Sequence, residues 1–174
     1  MAKSNITHLT YNIVVMGDPY CGKSSIIERY TSGKYGPNYV QTIGSEYSKK
    51  ELVIDGNPIM LYVYDTAGQE DMRTVIKNIY RKAQNCDITP ELMLVGNKAD
   101  LEDLKVTSLD AKSFAESHNM PVLAVSAKKN HNIDEAFDLL SKKIFANRKR
   151  LYPGNMVTSI HVHQEQKQQS NCCT

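Results

Sequence analysis

The eight residues Gly17-Asp18-Pro19-Tyr20-Cys21-Gly22-Lys23-Ser24 constrain this chain more than any other stretch. An apolar run before them, Tyr11–Met16, reads as a buried strand, and Ser25–Tyr30 behind them opens a helical pattern. Gly-x4-Gly-Lys-Ser between a strand and a helix is the pattern of a phosphate-binding loop. The glycines let the backbone wrap an anion, so the amides of Gly17 and of Tyr20 through Ser25 can face it together with the helix N-terminus. Lys23 then offers a cation to the β- and γ-phosphate oxygens, and the Ser24 hydroxyl suits a hard Mg2+ ion.

At 174 residues the chain fits one domain with a real core. A net charge of +2 gives no argument for nucleic acid as a partner. The longest apolar runs, such as Ile13–Met16, are the size of a core strand and not of a membrane span. The residues Met1–Thr10 lack the basic-then-apolar design of a secretion signal. The four cysteines, Cys21, Cys86, Cys172 and Cys173, match neither a disulfide framework nor a zinc site, which favours a reducing, cytosolic setting.

Along the chain, Ser32–Thr42 is rich in turn residues, which suggests a mobile loop. Ser45–Ile54 and Ile59–Tyr64 read as strands joined by the hairpin signal Asp55-Gly56-Asn57-Pro58. Leu92–Val95 and Val122–Val125 read as two further strands. The last element, Asn132 to Arg150, repeats Ile133, Ala136, Phe137, Leu140 and Ile144 at helical spacing. Beyond Leu151 the chain turns polar and Gln-rich and reads as a disordered tail over 151–174. His161 and His163, in that tail, read as solvent residues. Strands alternating with helices imply an α/β fold: a doubly wound, mostly parallel sheet carrying one antiparallel edge hairpin, over residues 1–150. Ligands of such sheets sit at the carboxyl ends of the strands.

The other motifs lie at those ends. Asp65-Thr66-Ala67-Gly68-Gln69 follows a strand, where Asp65 can reach a Mg2+ shell, the Gly68 amide can approach a γ-phosphate and Gln69 can orient a water. Asn97-Lys98-Ala99-Asp100 supplies a carboxylate that can accept from both the N1–H and the exocyclic amine of guanine. Adenine presents a lone pair at N1 and is repelled by the same group. Lys98 can lay its stem over the ring, and Ala127, within Ser126-Ala127-Lys128, can donate its amide to the guanine oxygen. Thr42 can complete the Mg2+ shell only while a γ-phosphate is present, which gives an order–disorder switch. Asp100, and the lack of an arginine-rich lid, argue against a P-loop kinase or ATPase.

Together these residues resemble the Ras superfamily of small GTPases, and more narrowly the Rab family. Thr42-Ile43-Gly44-Ser45-Glu46-Tyr47, Tyr64-Asp65-Thr66-Ala67-Gly68-Gln69-Glu70 and Tyr80-Arg81-Lys82-Ala83 carry the narrower likeness. The resemblance covers about Tyr11–Arg150 and implies a GTPase switch for membrane traffic that binds GTP or GDP with Mg2+. By that likeness Ser24 and Thr42 ligate the metal, Asp65 acts on it through water and Tyr35 flanks the guanine edge-on, while Gln69 and Lys23 carry the hydrolysis. The nucleotide would be cradled by Gly17, Tyr20, Cys21, Gly22, Lys23, Ser24, Ser25 and Gly68, and read by Asn97, Lys98, Asp100, Ser126, Ala127 and Lys128. Segments 33–47 and 66–81 would be the surfaces that effectors read. The likeness also implies an exchange factor, a GTPase-activating protein, a GDP-dissociation inhibitor or escort protein, and residence on the cytosolic face of intracellular membranes. Cys172-Cys173-Thr174 resembles the Rab double-prenylation signal, and two lipid chains anchor durably where one does not.

Three departures stand out. Pro19 and Tyr20 replace small residues, and a bulky Tyr20 crowds the route of an activating arginine. Tyr64 stands where the family usually places Trp, as another aromatic core residue. Between Ala83 and Met93 only Gln84–Leu92 remain where the family inserts a whole strand and helix. A strand takes about 5–6 residues and a parallel crossover a dozen or more. The fold is thus expected one strand and one helix short: either Leu92–Val95 pairs directly with Tyr11–Met16, or the sheet keeps a gap. An alternative reading is a prenylated adaptor that no longer cycles nucleotide, or a truncated splice form.

Overall fold

The computed structural model describes residues 9–36, 46–66 and 90–153. In chain order these form β1 (Leu9–Val15), α1 (Lys23–Ser32), β2 (Glu46–Ile54), β3 (Asn57–Asp65), β4 (Leu94–Gly96), α2 (Ser108–Ser117), β5 (Val122–Ala124) and α3 (Ile133–Leu151). The predicted strands and the first and last helices are all present, with ends displaced by a residue or two, and α1 begins at Lys23 itself.

Period-2 patterning does what it promises in β1, where Leu9, Tyr11 and Ile13 are buried while Thr10 and Asn12 face out. In β3, Ile59, Leu61, Val63 and Asp65 share the buried face. β1 runs parallel to β3, from Leu9 opposite Ile59 to Val15 opposite Asp65. β2 returns antiparallel to β3 and closes the hairpin with Ile54 opposite Asn57. The two turn residues, Asp55 and Gly56, both take positive φ (48° and 75°), as a two-residue type I′ turn requires. β4 and β5 pair in parallel, Leu94 with Val122 through Gly96 with Ala124.

Direct pairing of Leu92–Val95 with Tyr11–Met16, one of the two arrangements open to the shortened segment, is not found. Among the described residues the strands form two separate sheets, β1-β3-β2 and β4-β5, with no pairing between β1 and β4. Helices close what the strands leave open. Ile26, Ile27 and Tyr30 of α1 pack with Ile133, Ala136, Phe137 and Phe145 of α3 in one core that also takes Ile59, Leu61, Val63 and Val125. The rings of Tyr30 and Phe137 stack with centroids 3.8 Å apart. Lys50 of β2 adds a polar tie, donating to the Tyr30 carbonyl (2.7 Å) and to Asp134 of α3 (3.0 Å).

Two expectations need correction. Tyr64 is not a core aromatic: it lies half-exposed on the outer face of β3, its ring 5.7 Å from that of Tyr47 and its hydroxyl donating to Asn12. A position between the buried Val63 and Asp65 can only face outward on a strand. Helix α2 was not anticipated at all. Its signal is Thr107-Ser108-Leu109-Asp110, where the Thr107 hydroxyl accepts from the Asp110 amide (3.1 Å) and donates to its carboxylate (2.6 Å). The large apolar side chains around it, Leu109 and Phe114, are exposed, so the 3.6-residue pattern has no clear apolar stripe to announce it.

Candidate functional site

The loop from Met16 to Gly22 leaves the end of β1 and enters α1 through three residues of positive φ, Gly17 (153°), Tyr20 (66°) and Gly22 (89°). Gly22 serves conformation first, and a Cβ there would also meet the side-chain amide of Asn97, which would have to shift. Tyr20 holds a left-handed conformation that costs a non-glycine residue about 1 kcal/mol, and its side chain stands 68% exposed above the loop. α1 starts with no side-chain cap and no acidic residue in its first turn, so its N-terminal amides face a site suited to an anion. Lys23 is buried, and its ammonium donates to the carbonyls of Gly17 (2.9 Å) and Asp18 (3.1 Å), which lays a positive charge across the loop. Ser24, next along, is exposed, and Ser25 is half-buried.

Asp65 is buried at the end of β3, in register with Val15 where the loop departs. The following Thr66 donates its hydroxyl to the Val15 carbonyl at 2.9 Å, which clamps the two strand ends together. Strand pairing thus brings Asp65 to the phosphate loop.

Asn97, Lys98 and Asp100 arrive from the other sheet. Asn97 donates to the carbonyls of Cys21 (2.9 Å) and, at longer range, Gly22 (3.5 Å), while its own carbonyl accepts from the Ala127 amide (3.3 Å). Lys98 donates to the Tyr20 carbonyl at 2.7 Å. Asp100 accepts from the Ser126 hydroxyl at 2.6 Å, and Ser126 in turn accepts from the Lys129 amide at 3.0 Å. That hydrogen bond, helped by Lys128 and Lys129, holds the Asp100 carboxyl below the usual carboxylate range. The backbone continues the β4–β5 ladder into these loops, with Val125 donating to Gly96 (2.8 Å) and Ala99 to Val125 (3.0 Å).

Two contacts differ from the roles expected of them. The Lys98 ammonium is anchored on the phosphate loop, and the Ala127 amide is engaged by Asn97. Both residues therefore hold loops to one another as well as lining the space between them. The reading of the sequence passed over Arg29. Its guanidinium donates to the carbonyls of Ala127 (2.9 Å), Lys128 (3.5 Å) and Gly33 (2.6 Å) and lies 5.5 Å from the Tyr35 ring centroid. Tyr35 is thereby placed next to the Ser126–Lys128 loop. A basic residue in the last turn of α1 is also what the helix dipole favours, so nothing in the sequence marked Arg29 for this work. Thr42, Gly68, Gln69, Cys172 and Cys173 lie outside the described residues, as do most of segments 33–47 and 66–81 and the tail from 154.

What stands assembled is a cationic backbone loop and an ionised carboxylate, tied by two side chains into one unit. Such a unit can grip phosphates at one end and the Watson–Crick edge of a purine at the other. Comparison with known proteins agrees. A family model described as "Ras family" matches residues 12–89 and 84–146. Its two pieces overlap at 84–89, within the stretch expected to be shortened. "Ras-related protein Rab-1" of Theileria annulata is 34% identical over 86% of this chain and 80% of its own length. "Ras-related protein Rab-19" of Mus musculus is 32% identical over 95% and 84%. "GTP-binding protein ypt1" of Schizosaccharomyces pombe is 30% identical over 94% and 96%.

Proposed function

Because the chain belongs to the Ras family and, within it, to the Rab small GTPases, we propose that this site itself binds GTP, hydrolyses it and acts as a membrane-traffic switch despite the split sheet. One observation carries the reading: Asn97 and Lys98 bind directly to the carbonyls of Cys21 and Tyr20. The loop that would read the base is thus tied directly to the phosphate loop, with no strand between β1 and β4 among the described residues.

In this reading Lys23 and the amides of residues 20–25 hold the β- and γ-phosphates, and Asp100 accepts from the guanine N1–H and amine. Water attacks the γ-phosphorus in line. The bond to the bridging oxygen breaks with its electron pair left on the β-phosphate, and the proton of the water leaves on inorganic phosphate. Gln69 orients that water. The donors at the junction of β3 and α1, the Asp65 carboxylate and the Ser24 hydroxyl, are the hard oxygens that Mg2+ prefers, joined by Thr42. The ion would neutralise charge on the phosphates. Tyr35 flanks the base from the Arg29 side.

Cys172 and Cys173 would take the prenyl groups that keep the protein on the cytosolic face of a membrane. The switch segments would meet exchange factor, activating protein, GDP-dissociation inhibitor and effectors. Isothermal titration tests the core of the proposal: GTP should bind at sub-micromolar concentration, and the purified protein should carry GDP or GTP. A flat trace with no nucleotide aboard would instead favour the non-cycling adaptor.

A further inference from the structure

The last turn of α1 carries a side chain that touches both walls of the space where a base would lie. Arg29 donates through Nε to the Ala127 carbonyl (2.9 Å) and, at longer range, through Nη2 to the Lys128 carbonyl (3.5 Å). Through Nη1 it donates to the Gly33 carbonyl (2.6 Å), and its guanidinium carbon lies 5.5 Å from the centre of the Tyr35 ring. One planar fork of donors thus binds the loop after β5 and the segment leaving α1 at the same time.

Burial alone fixes neither wall. The Tyr35 ring is 37% exposed, and the turn before it is made by Gly33, whose φ of 71° is left-handed. The Gly33 amide donates to the Arg29 carbonyl (3.0 Å), so main chain and side chain of Arg29 hold Gly33 through its amide and its carbonyl. Tyr35 is thereby delivered to the guanidinium, within the distance at which a cation attracts an aromatic face. On the other wall Ala127 is held from two directions: its amide donates to Asn97 (3.3 Å) and its carbonyl accepts from Arg29.

We propose that Arg29 is a positioning residue for the base, setting Tyr35 and the Ala127 amide in place together. The inference rests on the proposal that this site holds a guanine nucleotide. Lysine cannot do the same work, because an ammonium is a point charge without the planar fork that reaches two segments and offers a flat face to a ring. The phosphate end has its own fastening, since Lys23 bonds to Gly17 and Asp18 while the bonds of Arg29 go to Gly33, Ala127 and Lys128. Loss of the fork should therefore loosen the base and leave the phosphates held.

Two probes on the full chain separate the ends: release of fluorescently labelled GDP chased with excess GDP, and isothermal titration of the nucleotide-free protein with inorganic tripolyphosphate, which has no base. Arg29→Lys should release GDP about tenfold faster while tripolyphosphate binds within about twofold of its original strength. Tyr35→Leu should also speed release, and the two changes together should fall short of the product of their separate effects, because Arg29 acts partly through that ring. GDP release from Arg29→Lys within about twofold of the unaltered rate overturns the proposal. So does equal weakening of GDP and tripolyphosphate, which would make Arg29 a support of the whole fold, and so do two effects that multiply in full. An unaltered protein that binds tripolyphosphate but not GDP would instead sink the guanine reading itself, and this inference with it.

Discussion

The two ends of the divide between the sheets are held in different ways. At the phosphate end, Asn97 and Lys98 bond straight to the loop carbonyls, Arg29 reaches across to Ala127, and the distances run from 2.7 to 2.9 Å. At the opposite end the sheets meet only through the last turns of α3, by one ion pair and one side-chain hydrogen bond to Glu91 among the described residues. Across the divide the loops are therefore held by side chains that bridge them, while strand pairing sets each loop within its own sheet.

The largest test concerns what holds both halves. Phe137→Ala removes a ring stacked on Tyr30 in the shared core and should cost about 4 kcal/mol, or about 12 °C in Tm. A loss under about 1 kcal/mol in chemical denaturation would mean that the halves do not depend on this packing. Asn97→Ala comes next. It strands the Cys21 carbonyl and the Ala127 amide, at about 1 kcal/mol or more each, so the guanine nucleotide should dissociate about 30-fold faster. Lys143→Ala cuts the opposite fastening and should leave that rate within about twofold, since exposed pairs are worth little. Equal effects from the two would erase the distinction between the ends.

The smallest effect is a pH shift. The Ser126 hydrogen bond lowers the Asp100 pKa, so its stabilisation is present above the unfolded value of about 3.9 and lost as pH falls through the lower folded value. Guanine binding should accordingly be flat, as far as Asp100 is concerned, from pH 7 to pH 5. Ser126→Ala should move the acid limb of the binding curve upward toward pH 4 while weakening binding at pH 7 less than tenfold. An acid limb left in place would show that Ser126 does not tune this carboxylate.

Much of this was legible beforehand because the motifs are local. A glycine loop between strand and helix, an Asp-Gly hairpin and a carboxylate after Asn-Lys each specify their own backbone, and β1, the hairpin and α3 appeared where the periodicity put them. Arg29 was not legible, since two of its three carbonyl partners lie 98 and 99 residues away along the chain. Tyr64 was misplaced because its aromatic character argued for burial while its parity on β3 decided otherwise.

From the order of its residues alone come a phosphate-loop motif, a carboxylate proposed to read a purine and a middle expected to be too short for one strand. Periodicity and turn residues suffice for that, because they act over a few neighbours. Tertiary structure alone decided that the described strands form two sheets and that the loops above them are nevertheless fastened together. That outcome rests on Asn97, Lys98 and Arg29 meeting backbone carbonyls remote in sequence. Only folding brings such donors and acceptors within 3 Å of one another.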